Sequence, residues 1–189
     1  MNKSASITIL QNDQGAIEEI TDEVTIEEPL EFSIAFGPQS SRQTKNIAIT
    51  MRTPGNDFEL VLGFLYSEGI SKNKNDVQTI ARVENLEDPS NIENTVLVEL
   101  DSTLTVDPKK IRNSYINSSC GICGSQIVDG IGSLQQYHDL KSDFLVSESV
   151  LRPLPDRLQK KQDAFSATGG LHASALFDQT ASIISLYEE

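Results

Sequence analysis

Apolar and polar positions alternate along two early segments of the chain, a pattern typical of half-buried β-strands. Four apolar side chains share one face of the first segment: Leu30, Phe32, Ile34 and Phe36. A glycine–proline turn separates it from the second segment, residues 46–51, and we expect the two strands to pair as a hairpin with a longer loop. Residues 1–24 are polar with short β-branched patches, which predicts a frayed leader or an edge strand.

Apolar residues then recur with the period of an amphipathic helix. They form one face: Phe58, Val61, Leu62 and Leu65. Residues 53–57 supply turn chemistry, a capping side chain and an acidic helix start, and Gly69 ends the helix. Two further strands are predicted over residues 77–83 and 95–100, with a turn at residues 88–91 between them.

The second half of the chain is predicted to be mainly helical. We expect a short helix from Asp107 to Tyr115, another after residue 125, and a third over residues 149–161. The Gly169-Gly170 pair is predicted to precede a helix of small residues, and residues 181–187 are predicted to form a final strand. This alternation of strands and helices assigns the chain to the α/β class with α+β elements.

Length and charge limit the classes of function. A chain of 189 residues can form one substantial core, or one core with a smaller lobe. With 15 basic and 28 acidic residues the net charge is −13, which excludes nucleic acid as a general partner because the phosphates would be repelled. No apolar run is long enough to cross a bilayer and the start has no secretory signal, so we expect a cytoplasmic protein that binds no membrane.

The chain has only two cysteines, Cys120 and Cys123, in a Cys-x-x-Cys loop flanked by glycine. One such pair cannot form a disulfide scaffold, so a metal or a reactive sulfur remains. Three hypotheses remain: a zinc site, a thioredoxin-like redox pair, or a sulfur relay. Only His138 and His172 could complete a zinc site and their separations match no zinc-finger spacing, while a redox pair would be expected nearer the start of the chain. The flexible loop suits the relay, which needs an exposed thiolate, but the motif alone does not decide between them.

Two other segments could bind an anion. Paired glycines ahead of a helix, as predicted for Thr168-Gly169-Gly170-Leu171-His172, would expose backbone N–H groups to a phosphate. A plain helix entry with an interior histidine is the more common arrangement. Arg52 before a helix could bind phosphate through two hydrogen bonds, although a surface salt bridge is the simpler interpretation.

Five segments, taken in order, resemble the formate dehydrogenase accessory sulfurtransferases of the FdhD/NarQ type. They are Glu27-Glu28-Pro29-Leu30, Met51-Arg52-Thr53-Pro54-Gly55, Leu62-Gly63-Phe64-Leu65-Tyr66-Ser67-Glu68-Gly69-Ile70, Ser118-Ser119-Cys120-Gly121-Ile122-Cys123-Gly124 and Thr168-Gly169-Gly170-Leu171-His172-Ala173. The resemblance implies a sulfurtransferase that accepts sulfur from a cysteine desulfurase and passes it to the molybdenum cofactor of formate dehydrogenase.

The resemblance also implies roles for individual residues. Cys120 would carry the persulfide, and Cys123 would either assist exchange or be less essential. The sulfur-accepting ligand would be molybdenum bis(molybdopterin guanine dinucleotide), and no tightly bound cofactor or metal is expected. Five residues would contact that ligand: Arg52, Thr168, Gly169, Gly170 and His172. A homodimer is one state open to the chain, since symmetric dimers are the commonest assembly.

The implied fold is a sandwich like that of cytidine deaminases. We expect a leader or edge strand at residues 1–24, an N-terminal α+β lobe at 25–112, and an incomplete deaminase-like lobe with the cysteine loop at 113–189. Family members continue with a Val-Gly-Arg-His-Asn segment, so the chain is expected to lack a C-terminal part. Two alternatives stay open: a non-catalytic chaperone for the cofactor, and a zinc-binding deaminase-like domain. Deamination itself is disfavoured because Ser174 stands where a deaminase has its glutamate.

Overall fold

The computed structural model describes residues 2–83, 93–106, 114–116 and 145–188, the backbone alone for 114–116. The chain divides into two compact units. The sheet unit takes its described residues from 28–52 and 57–141, and the hairpin unit takes its own from 1–27, 53–56 and 142–189. The predicted turn at 88–91, the helix after residue 125 and the cysteine loop lie outside the described residues.

The described residues of the sheet unit form a five-stranded mixed sheet and one α-helix. Its elements are β3 (Glu28–Phe36), β4 (Gln43–Arg52), α1 (Asp57–Ser67), β5 (Val77–Arg82), β6 (Thr95–Leu100) and β7 (Ser114–Ile116). The strand order is β5-β6-β3-β4-β7. Strands β3 and β4 are antiparallel, which confirms the predicted hairpin, and β3 pairs in parallel with β6.

Alternation along β3 directs its apolar side chains into the core, as predicted. Leu30, Phe32 and Ile34 are fully buried, together with Val61 and Leu65 of α1. The helix therefore covers the sheet with the side chains that recur at helical spacing. The Phe32 and Phe64 rings meet edge to face, with 5.1 Å between their centroids.

The hairpin unit contains two separate two-stranded sheets and three short helices. Its elements are β1 (Ser4–Asp13), β2 (Ala16–Thr25), α2 (Glu148–Leu151), α3 (Leu154–Gln159), α4 (Asp163–Thr168), β8 (Ala173–Phe177) and β9 (Ile183–Glu188). Of the two alternatives predicted for residues 1–24, the structure agrees with a strand and not with a frayed leader, because residues 4–25 form an antiparallel hairpin in unbroken register. Its two-residue turn has positive φ at both Gln14 and Gly15, which matches the twist of the flanking strands.

Three helix predictions differ from the structure, each in a different way. The helix expected to end at Tyr115 meets strand β7 instead, while its start lies outside the described residues. The helix expected over 149–161 is two helices, because Pro153 and Pro155 have no N–H to continue the first. The glycine pair does not precede a helix but ends α4, and the small residues after it form β8. The predicted final strand is confirmed as β9.

The α+β character expected from the sequence is confirmed by this arrangement. The likeness to cytidine deaminases and the three-part division of the chain stay predictions.

Candidate functional site

The site predicted from the sequence has three parts, and the structure describes two of them. Cys120 and Cys123 lie outside the described residues, so their assignment as sulfur-carrying groups stays a prediction. The two described parts are the surroundings of Arg52 in the sheet unit and the segment 168–172 in the hairpin unit.

Arg52 is the last residue of β4, and its guanidinium group is buried, with 1% of the side chain exposed. Its Nε donates to Oδ1 of Asp57 at 2.9 Å and a terminal nitrogen donates to Oδ2 at 3.3 Å. Asp57 is equally buried and is the first residue of α1. The tight turn over residues 53–56 brings these two groups together, so the pair is local in sequence but internal in the fold.

Three more residues complete this cluster, which we call the Asp57 network. Arg82 at the end of β5 forms an ion pair with Oδ2 of Asp57. The side-chain oxygen of Asn94 accepts a hydrogen bond from Arg52 at 2.7 Å. A carboxylate oxygen of Glu28 lies 3.5 Å from a terminal nitrogen of Arg52. Arg82 also lies over the Phe58 ring, 5.6 Å from its centroid.

Electrostatics keep the Asp57 carboxylate ionised. Burial is the largest single influence and would raise its pKa, because a low dielectric disfavours charge. Hydrogen bonds from Arg52 and Arg82 and the positive charges of both groups outweigh burial, and the pKa of Asp57 is lowered. The network therefore contains a buried anion shared by two cations.

The surface salt bridge considered for Arg52 is wrong, since the pair is buried. The guanidinium donors of Arg52 face Asp57, Asn94, the Glu28 carbonyl and the Glu28 carboxylate. A phosphate would have to displace one of these acceptors. The geometry of the described residues therefore favours a structural role for Arg52, and its predicted contact with a cofactor stays untested. The acidic helix start was visible in the sequence, but Asp57 as the partner of Arg52 was missed.

The segment Thr168–His172 forms an exposed turn after α4. Gly169 adopts the left-handed conformation at φ 70°, and its N–H donates to the Phe165 carbonyl at 2.7 Å. The Thr168 hydroxyl donates to the Ala164 carbonyl, and Thr25 donates to the Thr168 hydroxyl at 2.9 Å. These contacts occupy the Gly169 N–H and the Thr168 hydroxyl, two of the groups that the sequence had suggested for a phosphate.

The turn is open to solvent at Gly169, Gly170 and His172. A Cβ placed on Gly169 or Gly170 would have no heavy atom within 4 Å outside its immediate neighbours. His172 is exposed, so the interior position considered for it is wrong. A ligand could approach this turn, which is the exposed part of the predicted cofactor site.

Glu188 is a buried polar residue that the sequence analysis missed. Its side-chain oxygens accept from the backbone N–H groups of Ala164 and Phe165 at 3.2 and 3.0 Å. Glu188, at the end of β9, thereby provides acceptors for N–H groups in the first turn of α4 that have no partner within the helix. No signal in the sequence links a strand end to a helix start 24 residues earlier.

Neither a membrane helix nor a metal cluster is found in the described part of the chain. No helix there is long and apolar enough to cross a membrane. No three or more histidine, cysteine, aspartate or glutamate side chains among those residues are grouped to hold a metal ion. The zinc alternative involves the cysteines outside the described residues and stays open.

This chain resembles a solved structure and matches a known sequence family. A candidate formate dehydrogenase accessory protein from Desulfotalea psychrophila, known from its crystal structure, matches with a TM-score of 0.63. The match covers 99% of this chain and 63% of that one at 14% identity, which supports the mixed α/β fold. The sequence profile described as the FdhD/NarQ family matches residues 26–189. The chain belongs to this family.

Curated relatives share more sequence than that structure does. A protein named sulfur carrier protein FdhD from Sulfurisphaera tokodaii is 38% identical over 187 residues, 99% of this chain and 64% of its own length. The protein of that name from Sulfolobus acidocaldarius is 41% identical over 168 residues, 89% of this chain and 56% of its own. The chain thus spans about three fifths of the length of the relatives it matches.

Proposed function

We propose that this protein is a sulfurtransferase of formate dehydrogenase maturation. It accepts sulfur from a cysteine desulfurase as a persulfide on Cys120 and passes it to the molybdenum cofactor of formate dehydrogenase. The observation that carries this proposal is the family match over residues 26–189, which includes the Cys-x-x-Cys loop. The relatives' name, sulfur carrier protein FdhD, supports sulfur as the cargo.

Loading is a thiolate exchange that needs no external electrons. The Cys120 thiolate attacks the outer sulfur of the persulfide on the desulfurase cysteine. The S–S bond of the donor breaks, the donor cysteine leaves as a thiolate, and a new S–S bond forms on Cys120. The rate depends on the thiolate fraction and on access to the sulfur, which suits a loop flanked by glycine.

Delivery as sulfide needs two electrons, and Cys123 can supply them together with Cys120. The Cys123 thiolate attacks the inner sulfur of the Cys120 persulfide and releases the outer sulfur as hydrosulfide to the molybdenum centre. Both electrons come from the thiolates, which end as a disulfide. A cellular dithiol then restores the pair by exchange.

The exposed turn at residues 168–172 is the better of the two candidate cofactor contacts. Its glycines leave room for a bulky ligand and His172 offers an exposed imidazole. Arg52 is buried and already surrounded by acceptors. Cofactor binding is therefore expected to respond to His172→Ala or Gly170→Val, the latter because it fills open space without positive-φ strain.

Formate dehydrogenase activity in cells that lack their own family member tests this proposal. Expression of this chain should restore activity and Cys120→Ala should abolish it, while the variant protein stays folded by circular dichroism. A pure chaperone would give the opposite result, in which Cys120→Ala is silent and His172→Ala or Gly170→Val removes activity. Stoichiometric zinc, with unfolding on chelation, would instead support the zinc-binding domain.

A further inference from the structure

The chain passes between its two units at four points, and the Asp57 network lies at three of them. The sheet unit begins at Glu28, is left after Arg52 and is re-entered at Asp57. All three residues belong to the network. The fourth passage follows residue 141 and is outside the described residues.

Each residue of the network lies at or next to the end of a strand or helix of the sheet unit. Glu28 starts β3, Arg52 ends β4, Asp57 starts α1 and Arg82 ends β5. Asn94 immediately precedes β6. Side chains from five separate places in the sequence therefore meet around one buried carboxylate.

The contacts within this cluster depend on one another, because both arginines bind the same carboxylate. The guanidinium groups of Arg52 and Arg82 both contact Oδ2 of Asp57. Without the Asp57 carboxylate, the buried Arg52 and the partly exposed Arg82 would face one another. Among the described residues, only the partly exposed Glu28 carboxylate would be left beside Arg52. Loss of the one buried anion of the network should therefore open the whole cluster and not one bond.

We infer that the Asp57 network is a clamp that holds the three described passages of the chain in the sheet unit. When the clamp opens, residues around 28, 52 and 57 become mobile while the far part of the sheet stays folded. This device goes beyond the proposed function and does not depend on it. It would operate in the same way if the protein carried no sulfur.

Hydrogen–deuterium exchange of the full chain, read by mass spectrometry, tests the clamp. In Asp57→Asn, peptides that contain residues 26–30 and 50–60 should exchange about tenfold faster. Peptides from the buried part of β6 should show only the increase that the lower global stability gives, so the figure of about tenfold is the excess of the passages over β6. Asn94→Ala, which removes one hydrogen bond from the network, should give a weaker increase in the same peptides.

Leu100→Ala is the matched control, because Leu100 is fully buried at the opposite end of β6 and its loss lowers stability without touching the network. If the clamp exists, exchange in Leu100→Ala should become faster throughout the sheet. The peptides at the three passages should not be accelerated more than the others. Equal patterns in Leu100→Ala and Asp57→Asn would overturn the inference. If Asp57→Asn does not fold, Asn94→Ala decides: an increase confined to the passages supports the clamp, and a uniform or absent increase rejects it.

Discussion

At the residue scale, Asp57 and its two arginines dominate the electrostatics of the described chain. A buried ion pair is weak evidence for net stabilisation, because desolvation offsets the attraction. Breaking the pair is a different matter, since the partner charge stays buried without compensation. The consequence is a strong and testable dependence of stability on a single carboxylate.

We expect Asp57→Asn to lower the free energy of unfolding by about 3–5 kcal/mol, because Arg52 would remain buried with only the partly exposed Glu28 carboxylate as a counter-charge in the described part of the chain. Urea unfolding followed by circular dichroism measures this. Asp101→Asn is the control, as Asp101 also accepts hydrogen bonds but from an accessible position. A similar small loss in both variants would show that the buried pair contributes no more than a surface carboxylate.

The pH dependence of this effect has a definite sign. The pKa of Asp57 is lowered in the folded state, so its contribution is complete above the unfolded value of about 3.9 and is lost as the pH falls through the folded pKa. The difference in unfolding free energy between the wild type and Asp57→Asn should therefore shrink below about pH 4. A difference that stays constant down to about pH 3 would mean that Asp57 does not titrate in this way.

At the scale of elements, short helices in the hairpin unit depend on groups outside themselves. The helix α4 has six residues, too few to be stable alone. It is held at its start by Glu188 of β9 and at its end by Gly169 in the left-handed conformation. Both contacts are specific enough to test by substitution.

Glu188→Ala should destabilise the protein by about 1–3 kcal/mol, because the buried N–H groups of Ala164 and Phe165 lose their acceptor. Glu148→Ala, at an exposed pair with Arg152 in α2, should cost less than about 0.5 kcal/mol. Chemical unfolding compares the two. Equal losses would show that the start of α4 finds another acceptor, such as water.

Replacing each of two glycines by alanine should change the stability of the protein in opposite directions. Gly169→Ala should cost about 1 kcal/mol, since the new Cβ meets no atom but the backbone is left-handed at φ 70°. Gly63→Ala, inside α1 and also in open space, should gain up to about 1 kcal/mol. Melting temperatures that shift in the same direction for both would contradict the backbone explanation.

Sequence patterns predicted the elements whose periodicity is long and regular. The alternation in β3 and the helical repeat in α1 are local signals, and both elements formed within a few residues of the prediction. The glycine pair was misplaced because Gly-Gly fits a helix end as well as a helix start. Asp57 and Glu188 were missed as partners because tertiary contacts decide which polar group a carboxylate meets.

At the scale of the whole molecule, charge and family membership are the observations behind the proposal that this protein exchanges sulfur with a desulfurase and a cofactor. A net charge of −13 disfavours nucleic acid, and the family match covers residues 26–189. The described part of the chain supplies a scaffold held by the Asp57 network and an accessible turn at residues 168–172. The proposed chemistry itself resides in Cys120 and Cys123.

The intact mass of the protein after incubation with a cysteine desulfurase and cysteine tests the central proposal most directly. We predict a gain of about 32 Da, one sulfur atom, that a reductant removes and that Cys120→Ala lacks. Cys123→Ala, the matched control within the same loop, should still gain the sulfur and should release less of it as sulfide. A gain that persists in Cys120→Ala would assign the carrier to another residue, and no gain in the wild type would contradict the sulfur-carrier account.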